Sequence, residues 1–378
     1  MQDRSWDLAG RLVVAARGME LAQIDAIANL LDPFGASTTA AAADVSLTGI
    51  SPVRPEDLAE LAGPAKDGRT TARHRDGRLL ARFGAHWATV PSLDDAQLDV
   101  ALEAGLPPSA CWADIARPVL HHALHRSDAV AVHAAAVDQA GRATLVTGWS
   151  ESGKTEVALA LVEQGADFLT DKWAVAAADG HISAFPVNVG IRGWVLPALP
   201  RLRAALPSSA RSQLAAARLA DVATRRARRV SGRGRVVAFA SHAVTRAVEL
   251  GDRAGLSPSA LQAAYGYRGD PARAVPLGTV VVLVTGSTDA VHVDDVDAAW
   301  AASRLARTGA YERRGFFDLQ ERGAYAGLEG RSGARDASIA REESLLGAVL
   351  GKASRVVRIT CPFPGDPRRV VDALLRRS

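Results

Sequence analysis

The chain has 378 residues, 48% of them hydrophobic and 23% charged, with a formal net charge of +4. That is ordinary for a folded protein of two or three domains, or one large α/β domain with appendages, and a charge this modest argues against nucleic acid as a partner. Cys111 and Cys361 are too few and too far apart for a disulfide scaffold, no apolar stretch approaches membrane-spanning length, and the N-terminus has no signal-peptide core, so we expect a reduced, cytoplasmic protein without membrane contact.

Residues 1–110 alternate helical and short extended patterns. Positions 21–31 have amphipathic helix spacing, 45–48 and 79–83 read as strands, and 52–71 is polar and broken by Pro and Gly. We expect a small N-terminal α/β lobe with no recognisable catalytic motif, ending at Pro107-Pro108. A helix over about 113–126 follows. His121 and His125 lie four apart on it, the spacing of a metal-binding pair, but no third ligand accompanies them. Packing or surface histidines, His122 included, are the plainer reading.

A central region, 111–293, alternates strands and helices. Positions 129–137 and 142–147 read as strands. Gly148-Trp149-Ser150-Glu151-Ser152-Gly153-Lys154-Thr155 then matches G-x-x-x-x-G-K-[ST], and helical spacing runs over 156–164 with Gly165 as the stop. Positions 167–170, 174–177 and 275–285 are further strands, the last with the apolar run of a fully buried one. An Ala- and Arg-rich helical insertion spans about 197–274. Within it Arg225, Arg226, Arg228, Arg229, Arg233 and Arg235 form either a solvated helix end or a patch for anions. From 294 to 378 the pattern is mainly helical, clearest over 300–311 and 366–377, with Asp294, Asp295 and Asp297 read as helix caps.

The loop at 148–155 carries the chemistry. Glycines admit backbone conformations that a Cβ would block, and loop N–H groups converge on phosphate at the positive end of a helix. Lys154 supplies a cation for the β- and γ-phosphates and Thr155 a hydroxyl for Mg²⁺. The chain has four lysines, Lys66, Lys154, Lys172 and Lys352, among 45 basic residues, so a lysine inside the loop stands out. Asp171 ends the strand after the loop's helix, where an open α/β sheet collects its ligands; it would hold Mg²⁺ or accept a proton, unless it is only a turn residue. Glu156 either faces the same metal or simply suits the helix N-terminus.

The stretch 133–175 resembles the HPr kinase/phosphorylase family. The resemblance runs through His133-Ala134-Ala135-Ala136-Val137, Gly141, Thr147-Gly148 to Lys154-Thr155-Glu156, Leu161-Val162-Glu163-Gln164-Gly165 and Thr170-Asp171. It implies a PEP-carboxykinase-like P-loop kinase core, a catalytic or supporting role near the γ-phosphate for His133, and Mg²⁺ among Thr155, Glu156 and Asp171. Ile191-Arg192-Gly193 is similar to a downstream segment of the family, which makes Arg192 a candidate phosphate or substrate contact. One departure matters: the family's acidic pair is Asp171-Lys172 here, and a charged lysine accepts no proton. Lys172 either adds positive charge at the γ-phosphate or marks lost activity. Trp149 and Trp173 either line an acceptor pocket or pack.

The expected function is an ATP- and Mg²⁺-dependent kinase acting on a hydroxyl of a small molecule, natural product or peptide. The alternatives are a catalytically altered nucleotide-binding regulator and, with least support, a kinase of HPr itself. Relatives in that family assemble, so the resemblance also implies a homo-oligomer.

Overall fold

The computed structural model describes residues 3–38, 42–64, 70–208, 210–212, 214, 253–267, 270, 272–287 and 290–376. The first sheet is built from β1 (Arg4–Leu8), β2 (Leu12–Arg17), β3 (Ala36–Ser37), β4 (Val45–Ile50), β5 (Leu58–Pro64), β6 (Thr70–His74), β7 (Leu79–Phe83), β8 (His86–Val90) and β9 (Leu98–Glu103). Its order is β3-β1-β2-β4-β9-β8-β7-β6-β5. The stretch 52–71, expected to be broken, contains all of β5 and the start of β6. With α1 (Leu21–Leu30) the only α-helix described before residue 104, this lobe is richer in strand than its sequence suggested. The strands β2, β4 and β9 run parallel, and β4 and β9 still alternate, with Val45, Leu47, Leu98 and Val100 in the core and Thr48 and Asp99 on the opposite, more open face.

A helical stretch follows: α2 (Pro108–Cys111), a wide π turn over Trp112–Ala116 and α3 (Arg117–Ala123). Its residues Cys111, Trp112, Ile115, Val119 and Leu120 are buried in one core with Leu8, Ile27 and Leu47 of the first lobe and Trp173 and Phe185 of the second sheet. The expected break near 110 therefore falls inside a shared core.

The second sheet begins with β10 (Ala129–Val132), β11 (Ala134–Gln139) and β12 (Arg142–Gly148), and α4 (Lys154–Glu163) follows β12. Next come β13 (Asp167–Thr170), β14 (Ala174–Ala177), β15 (His181–Ala184), β16 (Val189–Arg192), α5 (Pro200–Ala205), β17 (Arg253–Leu256) and α6 (Pro258–Ala264). The chain closes with β18 (Val275–Thr285), β19 (His292–Asp295), α7 (Ala298–Glu312), α8 (Arg314–Tyr325), α9 (Ala334–Leu350), β20 (Arg355–Cys361) and α10 (Pro367–Leu375). The arginine cluster 225–235 and much of the expected insertion lie outside the described residues.

The order of the second sheet is β10-β14-β15-β18-β12-β11-β13, with β20 on β18 and β19 on β20. The strands β12, β18 and β20 are parallel. Residues 294–378 are thus helical but not separate, since β20 extends the same sheet as the loop strand. Asp297 does cap α7. Asp294 and Asp295 do not cap; they sit on β19 and pair with Arg358 and Arg355 of β20. On one face α4 and α10 pack on Val146, Val281 and Ile359; on the other α7 and α9 pack on Leu145, Val280 and Val282. Helix α4 is buried from Val157 through Val162 because it is covered on all sides, and Gly165, at φ +103°, takes the left-handed turn that ends it. Among the described residues no helix is long and apolar enough to cross a membrane. The protein is a mixed α/β structure with two large mixed sheets.

One detail of the second sheet positions everything that follows. Strands β10 and β11 form one bent ribbon with β14 and β13. Val132 lies opposite Ala174 and, further on, Ala136 lies opposite Thr170 in the same phase, before a bulge shifts β11 against β13 by one residue from Val137 onward. Between those pairs the ladder opens, and residues 133–135 face 171–173 without strand pairing. His133, Asp171 and Lys172 all fall in this opening.

Candidate functional site

The loop 149–153 joins β12 to α4 at the carboxyl end of the parallel strands. Gly148 has φ +145°, and a Cβ there would come within 2.5 Å of the Leu283 carbonyl and 2.7 Å of Ser152 Oγ, so only glycine fits. Gly153, at φ +93°, precedes α4, and a Cβ on it would meet the Phe363 ring at 3.3 Å. The loop therefore threads a tight passage between β18 and the segment after β20. Lys154 is 8% exposed and donates to the carbonyls of Gly148 (3.2 Å) and Trp149 (2.7 Å), which holds its ammonium under the loop. Burial pushes its pKa down to about 8, against the pull of Asp171, Glu312 and Glu156.

Asp171 is 4% exposed and accepts the Thr155 hydroxyl at 2.8 and 3.0 Å on its two oxygens. Burial raises its pKa, and burial together with the nearby Asp171 charge raises that of Glu156. Two buried acids beside a hydroxyl form an all-oxygen donor set suited to a hard cation. Among the described residues no three His, Cys, Asp or Glu side chains cluster as a complete metal cage. Mg²⁺ does not need one, because it keeps water and substrate phosphates in its shell. The residues that would hold it are Thr155 and Asp171, with Glu156 alongside.

A cleft of ≈ 310 Å³ is lined by His133, Ser150 to Glu156, Asp171, Lys172, Asn188, Gly190, Arg192 and Phe363. It thus brings together the four residues picked out as catalytic, the three picked out for metal, and most of the loop; Gly148 and Trp149 support the rim from outside. Arg192, from β16, donates to Glu151 Oε1 at 2.8 Å and lies 5.9 Å from the Phe363 ring. Lys172 is exposed to the cleft at φ +67°. The Trp173 N–H donates to the Asp171 carbonyl at 2.7 Å, closing a three-residue turn around Lys172 in the left-handed region, which a side chain avoids unless the surroundings impose it.

The two tryptophans divide. Trp173 is fully buried and does not line the cleft; it packs on His121 at 4.2 Å and His133 at 5.1 Å between ring centroids. Trp149 is 52% exposed and stacks on Tyr311 at 4.7 Å. His121 and His125 do not converge as a metal pair, in line with the packing reading. His121 is fully buried against Trp173 and Phe185, whereas His125 lies 3.4 Å from Glu342.

Sequence reasoning missed Asn188, Gly190, Phe363 and Glu312. Phe363 sits in the Pro-Gly-rich turn that follows β20, and the carboxyl end of a buried strand was the signal available for it. Glu312 ends α7, and its carboxylate lies 3.8 Å from His133 Nδ1; no motif announces it. In comparisons with known proteins, the chain matches no family model and no curated protein.

Proposed function

We propose that the chain is an ATP- and Mg²⁺-dependent kinase, built on a PEP-carboxykinase-like P-loop core, that transfers the γ-phosphoryl group to a hydroxyl of a small molecule, natural product or peptide. The observation that carries this reading is the Thr155–Asp171 contact beside buried Lys154 in one cleft with Glu156, His133, Lys172 and Arg192. Phosphoryl transfer through a loose transition state asks the protein mainly to position its reactants and neutralise charge. The loop and the N-terminus of α4 cradle phosphate oxygens. Lys154, Lys172 and Arg192 present three cations to the same space, and bound Mg²⁺ would supply further neutralisation at the β- and γ-phosphates. The strained turn at Lys172 supports a role for that lysine, because strain of this kind concentrates at functional positions.

The test is ADP release from ATP and Mg²⁺ with a broad panel of hydroxyl acceptors, wild type against Lys154→Ala. Acceptor-dependent release that Lys154→Ala abolishes supports the reading; equal release by both proteins removes it. Lys172 in place of an acid favours a second reading, a nucleotide-binding regulator. That reading predicts calorimetric ATP binding with no turnover on any acceptor, and a gain of turnover in Lys172→Asp.

A further inference from the structure

We propose that His133 and Glu312 form the proton-accepting pair of this site, with His133 as the catalytic base through Nε2 and Glu312 as the positioning residue that holds Nδ1–H. This rests on the kinase reading above. It answers the difficulty posed by Lys172, which stands where a second acid was expected.

The geometry comes from two distant parts of the chain. His133 is the single residue between β10 and β11, in the opening of the ribbon. Its carbonyl accepts the Thr147 hydroxyl at 3.0 Å and its ring packs on Trp173, so its place is fixed from the backbone and from one face. The residue is 6% exposed and lines the cleft, yet its Nδ1 is buried without a hydrogen-bond partner. A buried polar atom of this kind calls for an explanation. The Glu312 carboxylate, 3.8 Å away, supplies one. The distance is longer than a hydrogen bond, as catalytic contacts often are before substrate binds. Nδ1 faces Glu312, which leaves Nε2 as the ring nitrogen for the cleft. Glu312 ends α7, and the next residue, Arg313, is buried and ion-paired to Glu342 of α9, which anchors that end of the helix.

The charges around His133 suit the task. Lys154 on α4, Lys172 after β13, Arg117 on α3 and Glu312 on α7 face it, with neutral His121 behind Trp173. Burial first, then Lys154, Lys172 and Arg117, keep the imidazole neutral but weaken it as a base while the cleft is empty. A triphosphate bound at Lys154 and Lys172 offsets their charge, so the base strengthens only when the phosphoryl donor is in place. In the step, the acceptor oxygen bonds to the γ-phosphorus as its proton passes to His133 Nε2. The bond from phosphorus to the β,γ-bridging oxygen breaks, and its electron pair leaves on ADP. Glu312 stabilises the imidazolium, as a carboxylate behind a histidine base does.

Two measurements test this on the full chain. In ¹⁵N NMR of the histidine rings, with His133→Gln for assignment, the wild-type ring should be protonated at Nδ1, and Glu312→Ala should shift the proton toward Nε2. A wild-type ring protonated at Nε2 overturns the proposal whatever the turnover. In ADP release with water as the acceptor, Glu312→Ala should lower kcat at least about tenfold with the KM for ATP within about twofold, and Glu312→Asp should recover part of it. The acidic limb of kcat, which reports the nucleotide-bound enzyme, should move to lower pH in Glu312→Ala, because the lost carboxylate no longer favours the protonated ring. If His133→Gln and Glu312→Ala keep wild-type kcat while Lys154→Ala abolishes release, the pair is refuted and the kinase reading stands. If release does not depend on Lys154, the kinase reading falls and the ring tautomer alone decides the pairing.

Discussion

Against the first sheet, Gln23 of α1 is buried and donates to the carbonyls of Glu103 (3.1 Å) and Leu106 (3.0 Å), while Glu103 accepts the Trp87 N–H at 2.8 Å. The Thr89 hydroxyl accepts from Ala101 N in the same way. Around the second sheet, His133 Nδ1, both nitrogens of His121 and Ser152 Oγ are buried without partners, and the ionised pair Arg313–Glu342 is 4% and 1% exposed. Trp6 Nε1 and His86 Nδ1 are the exceptions in the first sheet. The paired polar atoms of the first sheet fix its strands and loops in place. Unpaired ones are costly to keep, and His133 and Ser152 both line the cleft. The contrast separates a lobe whose polarity holds the fold from one whose polarity serves a site.

The sharpest break of this contrast is Glu342→Gln, which strands the Arg313 charge in the interior and should cost about 3–5 kcal/mol by urea denaturation. Burial alone would raise the Glu342 pKa, but Arg313 and His125 outweigh it and hold it below the usual glutamate range. Its contribution is therefore complete above the unfolded value and is lost as pH falls through the folded one. Wild type should lose stability more steeply than Glu342→Gln below about pH 4.3.

Lys154→Ala should do the reverse. Nucleotide-dependent turnover should fall about 10²–10³-fold, while stability, read by thermal melting, holds or rises because a desolvated ammonium has been removed. Gln23→Ala should cost about 1–3 kcal/mol of stability, by orphaning two carbonyls, and leave nucleotide binding by calorimetry unchanged. The smallest effect belongs to Lys172→Gly. Relief of the left-handed strain should change stability by no more than about 1 kcal/mol, in the stabilising direction, while turnover declines. A Lys172→Gly protein that melts lower than wild type would show that the lysine contributes to packing rather than to the site.

These contrasts bear on what could be read from the sequence. The strand, glycine loop and helix over 142–163 were legible because their signal is local: an apolar run, glycines at fixed offsets, then helical spacing. β18 was legible for the same reason. The strands β1, β2, β8 and β9 were not identified, since short mixed segments acquire their meaning only when paired across the sheet. His133, Asp171 and Lys172 could be picked out beside a recognisable loop. Glu312 could not, because nothing within a helix of 15 residues distinguishes its last acid until folding lays it against a strand opening far upstream. Trp173 stayed open between lining a pocket and packing for the complementary reason: its neighbour Lys172 faces the cleft, and only the tight turn sends the next side chain inward.

The open stretch of the ribbon also sets what length changes the chain tolerates. Both flanks are in phase, Val132 with Ala174 and Ala136 with Thr170. Inserting or deleting one residue at 133–135 would leave β10 in place and turn every side chain of β11 to the opposite face. Because β11 lies between β12 and β13, both apolar layers would be disrupted together. The opening can be lined by different side chains without disturbing the ladder on either flank, but its length is fixed by parity.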